Sequence, residues 1–127
     1  SNIEIRKRLN KSNRTKLDKA LVTEIVNGTL RNMIYIDWVI KKFSSIKEEK
    51  ISPTVRNIIR SGIYQILFLD KIPDSAVCNE SVELAKKYDN IGSARFVNGL
   101  LRNISRKKDS IGYPYEKDLV EYLSIKY

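Results

Sequence analysis

The segment from Ser52 to Pro73 constrains the fold more than any other. Val55, Ile58, Ile59, Gly62, Ile63, Ile66 and Leu67 follow an unbroken three-four spacing, which gathers them on one face of a helix. Ser52 offers a side-chain oxygen to the free amides of a first turn. Pro53 suits the first helical position, where its missing N–H costs nothing. Pro73 disfavours helix in the residue before it, so the helix is expected to end at Lys71-Ile72-Pro73. This is the most apolar helix of the chain and belongs at its centre.

The flanking segments repeat the pattern. Leu17, Leu21, Ile25 and Gly28 keep helical spacing after a cap at Ser12 or Asn13, with Gly28 on the buried stripe where two elements approach closely. The helix resumes, past a bend between Asn27 and Asn32, through Ile36, Val39, Ile40 and Phe43. Ile34 and Trp38 point the other way, either sandwiched or displayed for docking. Val77, Ser81, Leu84, Ala85 and Tyr88 make the face of another helix, with Glu83 placed to pair with Lys87. A turn at Asp89–Gly92 precedes a helix on Phe96, Val97, Leu100, Leu101 and Ile104. After a loop with Gly112 and Pro114, a last helix over 116–126 rests on Leu119, Val120 and Leu123. No alternating run is long enough for a strand. The 127 residues predict a single all-α domain of about six or seven helices.

Several chemistries are excluded. The chain has no histidine and one cysteine, Cys78, so imidazole catalysis, a cysteine metal cluster and an internal disulfide all fall away. Cys78 sits at the edge of an apolar face with no nearby base and reads as a structural thiol. Glu24 and Glu80 border apolar stripes, and pairing with Arg56 or Arg60 accounts for them without catalysis. No run approaches the roughly 20 apolar residues of a membrane span. The chain by itself is expected to be no enzyme, to hold no cofactor, and to work in a reducing cytoplasm.

Charge points elsewhere. Twenty-four Lys and Arg against 15 Asp and Glu leave +9, which favours polyanionic partners and nucleic acid first among them. The densest positive stretch holds Arg6, Arg8, Lys11 and Arg14, suited to an electrostatic arm. Arg95, Arg102 and Arg106 fall in a stripe about 40° wide opposite the apolar face of their helix. Gly99 lies on the same side. A mid-helix glycine costs roughly 1 kcal/mol against alanine, so something is expected to approach there, either a phosphate backbone or a crossing helix. By spacing alone a solvated face explains the arginines as well.

The helix pair Asn79-Glu-Ser-Val-Glu-Leu-Ala-Lys-Lys87 and Arg95-Phe-Val-Asn-Gly-Leu-Leu101 resembles the signature of NusB-like domains. The resemblance implies an all-α RNA-binding fold of two helical sub-bundles, here 1–50 and 51–127. The family includes free transcription antitermination factors and the N-terminal domains of RsmB-type rRNA cytosine-C5 methyltransferases. Leu21–Asn32, Ile36-Asp-Trp38, Arg60–Ala76 and Leu101-Arg-Asn-Ile-Ser-Arg106 are similar to the methyltransferase branch. That branch implies RNA binding by Arg6, Arg8, Lys11, Arg14, Arg95, Gly99, Arg102 and Arg106, with the turn at Asp89–Ser93 as a further contact. Small-subunit rRNA is the implied target, and the protein's own catalytic domain, using S-adenosylmethionine, is the implied neighbour. The antitermination branch implies a ribosomal protein partner, for which Ile34 and Trp38 would be the contact. An intramolecular scaffold is the third reading. Relative to the family, one helix upstream of Ser1 and the catalytic domain are missing from this chain.

Overall fold

A computed structural model describes residues 19–114 and 116–126, with the side chains of 116–119 and 126 left aside. Among the described residues there are six α-helices and no strand: α1 (19–31), α2 (Met33–Phe43), α3 (Pro53–Phe68), α4 (Asp74–Tyr88), α5 (Ile91–Lys107) and α6 (Glu116–Lys126). Short 3-10 turns cover Glu48–Lys50 and Lys108–Ser110. The all-α expectation holds.

α3 is the central helix, packed against α2, α4 and α5. Its start is the expected one: the Val55 amide donates to Ser52 Oγ at 3.2 Å, and Pro53 opens the first turn. Its end comes earlier than expected. The chain leaves the helix at Phe68 because Leu69 turns to extended backbone and buries its own side chain, so Pro73 caps α4 instead. α4 and α5 form an antiparallel hairpin against α3, and one continuous core runs from Ile36 to Ile111.

The first two helices are one rod with a joint at Asn32. At Asn32 the backbone departs from helical geometry, with φ −110° and ψ 16°, and its amide and Nδ2 both donate to the Gly28 carbonyl, at 3.1 and 2.8 Å, so the side chain doubles the helical bond at the joint. Gly28 itself is a packing glycine. A Cβ at this position would overlap the ring of Tyr64 on α3, and only a bare Cα lets the helices close.

Several sequence expectations need correction. Glu83 bonds Lys86 at 3.4 Å and not Lys87, whose Nζ lies 5.3 Å from the Tyr88 ring centre. Tyr88 is exposed and Leu84 half so, because α5 covers α4 along the line of Val77, Cys78, Ser81 and Ala85. α5 starts at Ile91, where the Asn90 side chain accepts from the Ser93 amide at 2.8 Å. On α6, Val120 faces solvent and Tyr122 is buried, while the Leu119 side chain lies outside the described residues. Glu24 bonds Lys71 at 2.8 Å, Glu80 is exposed, and Arg56 donates to the Glu48 and Ile51 carbonyls. Arg60 instead grips Asp37, Nε to Oδ1 at 2.8 Å and Nη2 to Oδ2 at 2.9 Å. The sequence reading overlooked this pair.

Candidate nucleic-acid interface

α5 buries Ala94, Val97, Leu100, Leu101 and Ile104 and turns the opposite side outward. Arg95, Gly99 and Arg106 are exposed there and Arg102 is half-buried between them. At 1.5 Å rise per residue, the three guanidiniums start from points spread over about 16 Å of helix.

The way Arg102 is held matters most. Its Nε donates to Asn98 Oδ1 at 2.7 Å, and its Nη2 reaches across to Asn79 Oδ1 on α4 at 2.8 Å. Arg106 Nη2 has only a long bond to Asn103 Oδ1 at 3.4 Å. All these acceptors are neutral amides. Among the described residues the ion pairs use Arg60, Lys71, Lys86 and Lys108, and none uses Arg95, Arg102 or Arg106. The fold orients Arg102 without cancelling its charge. Beneath it lies Cys78, 1% exposed, whose thiol is pushed up by burial, while the Arg102 charge pulls the other way. The thiol is a packed hydrophobe, as its place in the sequence suggested.

Gly99 has open space around it. A Cβ there would meet nothing within 4 Å, so among the described residues no crossing helix uses the position.

The remaining sequence candidates scatter. Ser93 lies about 160° around α5 from Arg95. Its amide caps against Asn90 and its hydroxyl donates to Asp89, so its donors are spent within the turn. It lines a pocket of about 240 Å³ with Lys50 and Phe96, away from the arginine face. Ile34 is 39% exposed. Trp38 is half-buried against the core, with Lys42 Nζ 5.1 Å from its ring centre. Arg6, Arg8, Lys11 and Arg14 lie outside the described residues. Asn79 and Asn98, which aim Arg102, were not singled out in the sequence; an asparagine four residues before an arginine was the available signal. Among the described residues there is no acidic or cysteine cluster fit for a metal ion, and no helix long and apolar enough to cross a membrane.

The family model described as NusB family matches residues 1–106. The chain is 39% identical over 107 residues to a probable ribosomal RNA small subunit methyltransferase B of Bacillus subtilis, covering 84% of this chain and 24% of the relative. It is 42% identical over 93 residues to a transcription antitermination protein NusB of Ruminiclostridium cellulolyticum, covering 72% and 64%. A similar methyltransferase of Synechocystis is 35% identical over 92 residues, covering 72% and 21%. The chain thus spans under a quarter of each methyltransferase relative and just under two thirds of that NusB protein. The fold, the α4–α5 hairpin and a match over most of the chain agree: this chain belongs to the NusB family, whose domains bind RNA.

Proposed function

We propose that this NusB-type domain binds small-subunit ribosomal RNA across the α5 arginine face and delivers it to a cytosine-C5 methyltransferase domain of the same protein. One observation carries the reading. Arg95, Arg102 and Arg106 share an outward face, and none has a carboxylate partner among the described residues of a chain with net charge +9. Guanidiniums held this way suit phosphate oxygens, and Gly99 lets a backbone come close between them. Such contacts set affinity and register without reading sequence, so choice of the base belongs to the catalytic domain. Arg6, Arg8, Lys11 and Arg14 would extend the positive track.

The methyl donor of such an enzyme, S-adenosylmethionine, would be held in that other domain. Among the described residues no strand and no glycine-rich turn fits it, and no step of methyl transfer is assigned to this chain. The longest of the matches given above, to the Bacillus subtilis methyltransferase, supports this branch. The 42% identity to an antitermination NusB supports a second reading, in which the domain binds RNA together with a ribosomal protein seated at Ile34 and Trp38. Under either reading the protein would work in the cytoplasm.

Titration of a labelled small-subunit rRNA fragment across a salt series tests the RNA interface. With about 0.7 counterions released per phosphate contact on single strands, replacing Arg95, Arg102 and Arg106 by alanine lowers affinity about 50-fold at 0.15 M salt. The slope of log affinity against log salt flattens by about 2. Unchanged affinity and slope would overturn the proposal.

A further inference from the structure

A second surface, built from aromatic rings, is separate from the arginine face. Tyr113 is 76% exposed, although the loop that carries it is tightly held. Ile111 is buried in the core, and Gly112 takes φ +68, a left-handed turn that a side chain rarely adopts. The Tyr35 hydroxyl donates to the Gly112 carbonyl at 2.5 Å, and Lys42 Nζ donates to the Ile111 carbonyl at 3.1 Å. Burial, and next the neighbouring Tyr113, push the Tyr35 phenol up from its ordinary value.

The rings form a platform. Tyr113 and Tyr35 are 5.0 Å apart between centres and tilted by 37°. Tyr35 is braced from behind by Trp38 at 5.6 Å and edge-on by Phe68 at 5.9 Å. Beside them opens a cleft of about 380 Å³, lined by Arg31, Ile34, Tyr35, Tyr113, Pro114 and Leu123. Arg31 is exposed and has no acidic partner among the described residues. A mostly solvated ring, fixed in place by hydrogen bonds and the left-handed turn at Gly112, contributes little to the core. A flat π-face beside an uncompensated guanidinium is what recognises an unpaired base and its phosphate.

We propose that the Tyr113–Tyr35 cleft takes one unpaired nucleobase of the bound RNA, stacked on Tyr113, with Arg31 on the adjoining phosphate. The inference rests on the RNA-binding reading above and adds to it a demand for single-stranded character. Duplex RNA cannot offer a base to such a cleft, so the arginine face would hold either form while this platform selects the unpaired one.

The test uses the full chain with two RNAs of one sequence, single-stranded and annealed to its complement. Tyr113→Ala is expected to weaken the single strand about tenfold and the duplex by less than twofold, whereas Tyr113→Phe, which keeps the ring, binds as the parent does. A 2-aminopurine placed along the strand should lose fluorescence in the parent complex and regain it with Tyr113→Ala. Equal binding of both RNAs by parent and Tyr113→Ala, with no quenching at any position, overturns the proposal and leaves the cleft as a protein-docking surface. Failure of the RNA-binding reading itself has another mark: no salt-dependent binding of either RNA by the parent.

Discussion

Arg60 and Arg102 are the same side chain in opposite settings. Arg60 closes a two-pronged ion pair on Asp37, a carboxylate whose side chain is only 4% exposed, at the α2–α3 junction. That hydrogen-bonded carboxylate pushes the Arg60 guanidinium further up from its ordinary value. Arg102 makes two bonds of similar length to amide oxygens of Asn98 and Asn79 on the outward side of the α4–α5 hairpin. Both guanidiniums are fixed, but only the first is neutralised. A carboxylate spends the charge on holding the fold together; an amide aims it and leaves it available.

Breaking the structural pair has the largest expected effect. Asp37→Asn strands a largely buried guanidinium beside a neutral group, and urea unfolding should show a loss of about 3 kcal/mol. RNA affinity of the folded fraction should stay at the parent value. A loss below 1 kcal/mol would mean the pair does not serve as the anchor of α2 on α3.

On the other side of the comparison, Gly99→Ala separates folding from binding by sign. With open space at the Cβ position, alanine should stabilise the helix by about 1 kcal/mol. RNA affinity should fall if a phosphate backbone approaches there. A stabilised protein with full affinity would remove Gly99 from the interface.

The smallest effect belongs to Asn79→Ala, which takes away one aiming oxygen and leaves the Arg102 charge. Affinity for the rRNA fragment should drop about twofold with an unchanged salt slope, and stability should move by less than about 0.5 kcal/mol. A changed slope would show that Asn79 controls the charge and not only its direction.

How much of this was legible in the sequence follows from what period and capping encode. The core faces of α3 and α5, the Ser52-Pro53 start and the role of Gly28 are local, and spacing exposes them. Leu69 ended α3 ahead of Pro73 because a tertiary contact outbid the local signal. The partner of Arg60 was misjudged because periodicity ranks residues on one helix and says nothing of which carboxylate arrives from another; Asp37 is 23 residues away. The arginine stripe was readable from a helical wheel, but that it meets no carboxylate among the described residues was not, since that depends on what α4 brings alongside. The sequence reading took the turn and the arginine face as one neighbourhood, and spacing along α5 sets Ser93 about half a helical turn from Arg95. Tyr113 and Tyr35 meet only because the 111–114 loop folds back over α2, 77 residues from Tyr35 to the Gly112 carbonyl it holds.

Cys78 gives the hairpin an internal clock. It is the only thiol in the sequence, sits 1% exposed beneath Arg102, and is kept protonated by its burial. A thiol reagent can reach it only when the packing around α4 opens locally, so the labelling rate reports how readily that opening occurs. A ligand that steadies the hairpin would slow the labelling, so the rate at this one thiol reports occupancy.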